Sequence, residues 1–218
     1  MASRLLLIAP DPSGDTLGAH FCKVWRKGGG GQVWALGGDQ LRQEGAEVKW
    51  DSAPFQTLGF LDALFKLPQT RPLWKEIIRT LPLVNGVVVV DARFLMERIA
   101  PHVQRAGLPL VWLAPSPDWR KAGESTSRTE RLSLLVDYLW VTDPLAWRAY
   151  KNSEKATRFA HPRFQDTPSV KREKGLLALL PGSRPSEIIR NKNTFIKAAS
   201  LMDWAKSVDV SDPFGIEG

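Results

Sequence analysis

Short apolar runs alternate with amphipathic stretches along most of this chain. Five runs have the length and composition of buried strands: Leu5–Ala9, Val33–Leu36, Gly86–Val90, Leu110–Leu113 and Tyr138–Val141. Apolar residues recur at helical spacing between them, in Thr16–Arg26, Gln40–Glu44, Leu58–Leu67, Leu73–Arg79, Phe94–Gly107 and a segment that begins at Pro144. The polar stretch Gly123–Glu130 predicts an exposed segment. The alternation as a whole predicts a Rossmann-like, doubly wound α/β domain with a parallel sheet covered on both faces.

The polar stretch Thr167–Lys174 predicts a linker, which divides the chain into a first domain, 1–166, and a shorter segment, 167–218. The shorter segment has one strand pattern, Gly175–Leu180, and one helix pattern, Ser186–Trp204. Roughly 50 residues bury too little surface to offset the entropy lost on folding. We therefore expect this segment to pack on the first domain, to pair with a second chain or to be part of a larger domain.

Composition narrows the class of partner. The 218 residues include 30 Lys and Arg against 23 Asp and Glu, a net charge of +7, which favours an anionic partner. Zinc-finger spacing, RNP-type aromatic sequences and arginine-rich tracts are missing from the sequence, so a small anionic ligand is favoured over nucleic acid. The single cysteine, Cys22, excludes an internal disulfide and falls in an apolar helical pattern. Apolar runs stay well below the ~18 residues of a membrane span and the N-terminus lacks a leader pattern, so we expect a cytoplasmic protein.

Several polar residues follow predicted strands directly. They are Asp11, Asp15, Asp91, Ser116 and Arg184. In doubly wound sheets the ligand binds at the carboxyl ends of the strands, where phosphates and sugars are held by helix N-termini and short polar side chains. These residues are therefore the first candidates for a ligand site.

The motifs around these positions resemble the lipid-A-disaccharide synthase family. APDPSGDTLGAH (9–20) is similar to the family's opening AGE-x-SGD-x-LGA, and LPGSRPSEI (180–188) to its LPGSR-x-x-EI. Five further segments fall in the same order as in the family: ALGGDQLRQEGAE (35–47), TLGFLDALFKLP (57–68), VVVVDARF (87–94), APSPDWR (114–120) and FAHP (159–162). Ser-Gly-Asp or Pro-Gly-Ser-Arg alone is an ordinary turn, but several such motifs in the same order with similar spacing are specific.

The resemblance implies a two-domain GT-B glycosyltransferase that inverts the anomeric centre without a metal or other cofactor. Such an enzyme transfers 2,3-diacylglucosamine from UDP to 2,3-diacylglucosamine 1-phosphate at the inner leaflet of the cytoplasmic membrane. The resemblance also implies that 1–166 is the acceptor-side domain and that 167–218 is the beginning of the nucleotide-binding domain. A peripheral contact with the membrane and a homo-oligomer are compatible with the resemblance, and nucleic acid is not an expected partner.

The catalytic candidates are Asp91, Asp11 and Asp15. Asp91 is the preferred base, because burial makes a carboxylate more basic, although it could instead cap the next helix. Asp15 could orient a sugar hydroxyl or serve as the N-cap of the first helix. Asp11 stands where the family has a glutamate.

The substrate-binding candidates are Ser13, Gly14, Ser116, His161, Gly182, Ser183, Arg184 and Glu187. Arg184, with the amides beside it at a helix start, suits the UDP diphosphate, or forms a surface ion pair with Glu187. Ser116 could bind a sugar hydroxyl or belong only to a turn between two prolines. His161 could contact the ligand or fix the linker.

Some family positions are changed here. Pro10 replaces a glycine, Phe94 falls on the family's second aspartate, and Ala160 replaces the glycine before His161. The family's SGT-x-x-LE element is missing, and residues after Met202 do not resemble the family, as a frameshift or early stop would produce. Two alternatives therefore stand beside the transferase: a non-catalytic, truncated paralogue that binds lipid or sugar nucleotide, and a basic nucleic-acid-binding α/β protein.

Overall fold

The computed structural model describes residues 3–52, 71–115, 126–162, 174–182, 185–203 and 207–210. The chain forms two compact units, Met1–Asp166 (unit 1) and Thr167–Gly218 (unit 2).

Unit 1 alternates strands and helices in the described residues. Its strands are β1 (Arg4–Ile8), β2 (Gln32–Gly37), β3 (Glu47–Asp51), β4 (Gly86–Val90), β5 (Leu110–Leu113), β6 (Tyr138–Val141) and β7 (Ala156–Arg158). Its helices are α1 (Pro12–Lys27), α2 (Asp39–Gln43), α3 (71–80), α4 (Arg93–Arg105), α5 (Ser127–Leu134) and α6 (Pro144–Tyr150). A 3₁₀ turn, Leu81–Leu83, follows α3.

The seven strands form one parallel sheet in the order β3-β2-β1-β4-β5-β6-β7. The first strand therefore lies inside the sheet, between β2 and β4. Leu5 pairs with Val33 on one side and with Gly86 on the other. The order reverses direction at β1 and β4, which makes this pair the topological switch point of the sheet.

Side chains of alternate strand residues face opposite sides of the sheet and form two cores. One core includes Leu7, Val33 and Val88 and is covered by α1 and α2 through Leu17, Cys22 and Leu41. The other core includes Leu6, Leu36 and Val87 and is covered by α3 to α6 through Trp74, Ile77, Met96, Ile99, Leu132 and Tyr150. Helices on both faces confirm the predicted Rossmann-like, doubly wound α/β architecture.

Four elements were missing from the sequence-based prediction. The edge strands β3 and β7 are short and largely polar, so that only Trp50 of β3 is buried. Helix α5 occupies part of the stretch predicted to be exposed, and Thr129 within it is buried and completes a capping box with Thr126. The fourth element, β9, belongs to unit 2.

Unit 2 contains β8 (Leu176–Leu179), α7 (Pro185–Ala199) and β9 (Ser207–Val210). The two strands pair in parallel, with Leu176 opposite Ser207 and Leu179 opposite Val210. The connection from β8 through α7 to β9 is therefore a βαβ unit.

Candidate functional site

A cavity of about 230 Å³ lies within unit 1 at the carboxyl ends of the strands. Its lining comes from the start of α1, the end of β4 and the turns after β4, β5, β6 and β7. It consists of Ser13, Gly14, Leu17, Val90, Asp91, Ala114, Pro115, Thr142, Asp143 and His161. Because all strands run in parallel, these turns meet at one edge of the sheet. Four of the residues predicted from the sequence, Ser13, Gly14, Asp91 and His161, come together here.

The turn after β1 begins α1 with Asp11 as its N-cap. One oxygen of the Asp11 carboxylate, Oδ1, accepts hydrogen bonds from the Gly14 N–H at 2.7 Å and from the Ser13 hydroxyl at 2.7 Å. Pro12 occupies the first helical position, where its missing N–H costs nothing. The prediction that Asp15 is the N-cap of this helix is wrong, because the helix begins at Pro12. Asp11 holds the turn rather than lining the cavity.

Asp15 is buried on the other side of this turn. Its carboxylate accepts hydrogen bonds from the backbone N–H groups of Gly38 (2.7 Å), Gln40 (2.9 Å) and Leu41 (3.4 Å). These are the unsatisfied donors at the N-terminus of α2, so Asp15 caps a helix that is distant in sequence. A Cβ at Gly38 would lie 2.8 Å from Asp15 Oδ2, so the approach needs glycine at that position. Asp15 thus ties α1 to α2 and does not line the cavity.

The tips of β4 and β5 both adopt left-handed backbone conformations. Asp91 has φ 54° and Ala114 has φ 52°, a region that costs a residue other than glycine about 1–3 kcal/mol. The Asp91 N–H donates to the Leu113 carbonyl at 2.8 Å, and the Ala114 N–H to the Trp140 carbonyl at 2.7 Å. Two adjacent strained positions therefore line the same cavity.

Helix α4 begins at Arg93, two residues after Asp91, with Ala92 as its N-cap and without a side-chain hydrogen bond at that cap. The alternative in which Asp91 serves as the cap of this helix therefore finds no support in the cap geometry. Asp91 remains a lining residue of the cavity, at the end of a fully buried strand.

Thr142 and Asp143 line the cavity and were missed by the sequence analysis. Asp143 caps α6, and its Oδ1 accepts hydrogen bonds from the N–H groups of Leu145 (2.8 Å) and Ala146 (3.0 Å). The signal was present in the sequence, because Asp143 follows a predicted strand and precedes Pro144 at a helix start.

The described lining carries two carboxylates, two hydroxyl groups and one imidazole, and none of its residues is lysine or arginine. Carboxylates and hydroxyls form hydrogen bonds with sugar hydroxyl groups, whereas a phosphate would meet the negative charge of Asp91 and Asp143. The chemistry of the described lining therefore suits a neutral, hydroxyl-bearing group.

The second motif follows β8 in unit 2. Gly182 has φ +148°, and a Cβ there would lie 2.4 Å from Cβ of Glu187 in the first turn of α7. The Asn191 side-chain amide donates to the Pro181 carbonyl at 2.8 Å and fixes the turn on the helix. Glycine is thus needed where this turn approaches α7. Ser116, Ser183 and Arg184 lie outside the described residues.

Fold and cavity together define the class: unit 1 is a Rossmann-like α/β domain, consistent with the N-terminal domain of a GT-B glycosyltransferase. A family model described as lipid-A-disaccharide synthetase matches residues 5–210. The chain belongs to this family, as the motifs predicted.

Curated relatives agree with the family. Three proteins named lipid-A-disaccharide synthase are similar to this chain: one from Azoarcus sp. (24% identical over 93% of this chain and 55% of its own length), one from Thiobacillus denitrificans (26%, 94% and 58%) and one from Neisseria gonorrhoeae (28%, 88% and 53%). The chain spans about half the length of these relatives.

Proposed function

We propose that this chain takes part in glycosyl transfer of the lipid-A-disaccharide synthase type, with the unit 1 cavity as the acceptor-sugar site and Asp91 as the general base. The observation that carries the proposal is the position of Asp91, which lines a cavity at the switch-point edge of the sheet in a member of this family.

In this reaction an acceptor hydroxyl oxygen bonds to the anomeric carbon of UDP-2,3-diacylglucosamine. The bond from that carbon to the UDP oxygen breaks, the electron pair leaves with UDP, and the hydroxyl proton passes to the Asp91 carboxylate. One displacement of this kind inverts the anomeric centre. No metal or cofactor is part of the proposal.

The cavity fits a sugar ring better than a whole acylated molecule. Its volume of about 230 Å³ lies below the roughly 300–1,000 Å³ of pockets that enclose drug-sized ligands. Ser13 and Asp143 could accept hydrogen bonds from ring hydroxyls, and Thr142 could donate or accept one. Leu17 and Val90 offer apolar contact to the ring face. The acyl chains of 2,3-diacylglucosamine 1-phosphate would extend outside.

We assign the diphosphate of the donor to the motif in unit 2. Gly182, Ser183 and Arg184 precede α7 in the sequence, and a guanidinium with backbone amides at a helix start binds diphosphate well. Glu187, in the first turn of α7, lies so close to Gly182 that a Cβ at Gly182 would clash with it, and it would help to orient this segment.

We further propose that the chain works in the cytoplasm at the inner leaflet of the membrane, where acylated sugars reside. Among the described residues, no helix is both long and apolar enough to cross a bilayer. Whether the protein forms a homo-oligomer is a separate expectation that sedimentation measurements would test.

A second candidate is a family member that binds the acylated sugar or sugar nucleotide without transfer. The specific observation in its favour is Phe94, a residue that is 51% exposed and stands where the family has a second aspartate. In addition, Asp11, the acid in the turn between β1 and α1, is engaged in capping α1. With phenylalanine at position 94, Asp91 is the remaining acid of the segment VVVVDARF (87–94).

The test is UDP release by the purified chain. We expect release only when UDP-2,3-diacylglucosamine and 2,3-diacylglucosamine 1-phosphate are both present, and we expect Asp91→Asn and Arg184→Ala each to lower it at least a hundredfold. Asp39→Asn, an exposed substitution on α2, is the matched control and should retain full activity.

The other outcomes separate the alternatives. Full turnover in Asp91→Asn would refute the assignment of the base. Binding of either acylated sugar without UDP release would support the second candidate. Steeply salt-dependent binding to unrelated DNA duplexes, with no response to sugars, would instead support a nucleic-acid-binding protein.

A further inference from the structure

Trp112 connects the buried core of unit 1 to the backbone of Asp91. It is fully buried in β5, on the strand next to β4. Its indole Nε1–H donates a hydrogen bond to the Asp91 carbonyl oxygen at 2.6 Å. A single side chain from one strand thus holds the main chain at the tip of its neighbour.

The parallel ladder itself has no donor for this carbonyl. The Asp91 N–H bonds to the Leu113 carbonyl, which places Asp91 opposite Ala114 in the register. In a parallel pair the carbonyl of Asp91 would then receive the N–H of residue 115. That residue is Pro115, which has no N–H. The Trp112 indole supplies the hydrogen bond that the strand cannot.

The left-handed conformation of Asp91 is the reason why this bond matters. At φ 54° an aspartate lies outside its preferred backbone regions, and such a conformation persists only when its surroundings fix it. The neighbouring strand holds the N–H of Asp91 and the Trp112 indole holds its carbonyl. With both ends of the residue fixed, the direction of its Cα–Cβ bond is fixed as well.

The indole is in turn held by the core. Its ring packs edge-to-face on Tyr150 of α6, with ring centroids 5.8 Å apart and an interplanar angle of 72°. Burial on all sides leaves the indole little rotational freedom. The position of the Asp91 carbonyl therefore depends on how α6 packs against the sheet.

We propose that Trp112 is a positioning residue, whose indole N–H holds the strained backbone of Asp91 and thereby directs its carboxylate into the cavity. The functional part of this inference rests on the proposed role of Asp91 as the base. The structural part concerns the conformation of Asp91 and can be measured without substrate.

The experiment compares Trp112→Phe with Trp50→Phe. Trp50 is also buried in the same core, and its indole N–H also makes one hydrogen bond, to Glu76 Oε2 at 3.1 Å. Glu76, unlike Asp91, does not line the cavity. Both variants lose one indole hydrogen bond and the same ring volume. Thermal unfolding measures the stability cost of each variant.

The decisive readout is the ¹³C spectrum of protein labelled with ¹³C-aspartate, in which Asp91→Asn assigns the Asp91 signals. We expect the Cα and carbonyl signals of Asp91 to shift in Trp112→Phe and to stay in place in Trp50→Phe. In the UDP-release assay we expect kcat of Trp112→Phe to fall roughly ten- to a hundredfold, with KM within about twofold, since small displacements of a reacting group have effects of this size.

Unchanged Asp91 signals in Trp112→Phe, with kcat equal to that of Trp50→Phe, would overturn the proposal. If Trp112→Phe does not fold, 3-benzothienylalanine at position 112 removes the N–H and keeps the ring. The Asp91 signals and kcat of that variant then decide in the same way. If the wild-type chain shows no turnover, the proposed function fails, but the Asp91 signals still decide whether Trp112 holds this residue.

Discussion

The bond between α1 and α2 through Asp15 gives the sharpest prediction for stability. Asp15→Ala removes a buried carboxylate that accepts two short hydrogen bonds, from Gly38 at 2.7 Å and Gln40 at 2.9 Å. Hydrogen bonds to a charged group contribute about 1.5–3 kcal/mol each, so even at the lower end the loss is about 3 kcal/mol. For a chain of this size that corresponds to a fall in Tm of about 6–12 °C.

Two measurements check this prediction. Thermal unfolding followed by circular dichroism gives the change in Tm, and amide hydrogen exchange reports the N–H groups of Gly38 and Gln40 directly. Both amides should exchange faster in Asp15→Ala, because they lose their acceptor. Asp39→Ala, with its exposed ion pair to Arg42, is the control and should change stability by about 0–1 kcal/mol.

The reasoning would be refuted by a loss in Asp15→Ala below about 1 kcal/mol together with unchanged exchange at Gly38 and Gln40. That result would mean that the N-terminus of α2 is stabilised without the carboxylate. Asp15→Asn separates charge from geometry, since an amide oxygen still accepts one bond but without the charge that favours a helix N-terminus.

Two further predictions concern a glycine and the cysteine. Gly31→Ala should destabilise the chain by about 1–3 kcal/mol, because its Cβ would lie 1.8 Å from the Ser3 carbonyl oxygen, whereas Gly28→Ala meets only ordinary contacts and should stay within about 0.5 kcal/mol in denaturant unfolding. Burial raises the pKa of the Cys22 thiol from 9.0 to about 12. Above pH 9 the Cys22 thiol ionises in the unfolded chain but not in the folded chain. The stability advantage of wild type over Cys22→Ala should therefore shrink as the pH rises from 9 towards 12, and a constant difference in stability would contradict this prediction.

The parts of the fold that follow from sequence are those in which local pattern and burial agree. The run Gly86–Val90 is buried along its whole length, and its composition alone identified β4. By contrast, β3 alternates charged and apolar residues at the edge of the sheet, and its pairing with β2 exists only in the folded chain. Propensity does not report such an element, because its stability comes from its neighbour.

The first turn shows a different limit. The apolar pattern predicted a helix from Thr16, four residues after the observed start at Pro12. An acid followed by proline is also an N-cap signature, which is how Asp11 acts here. The acceptor role of Asp15 towards Gly38 could not be derived from sequence, since it joins groups 23 residues apart through tertiary packing.

Sequence likewise predicted one part of the candidate site and not another. Strand ends predicted Asp91, and the same rule would have found Thr142 and Asp143 had it been applied after β6. The left-handed backbone at Asp91 and Ala114 has no local sequence signal, because neither residue type favours that region strongly enough to announce it. Strain of this kind becomes visible only when neighbouring strands impose it.

The central place of β1 in the sheet has a consequence for synthesis. This strand is made before the other described strands of its sheet, yet its partner β4 pairs through Gly86, about 80 residues later. At 5–20 residues per second the ribosome needs roughly 4–16 s to supply that partner. Throughout this interval one edge of an apolar strand remains open to other nascent chains. We therefore expect the newborn polypeptide to depend on chaperones until its fourth strand emerges.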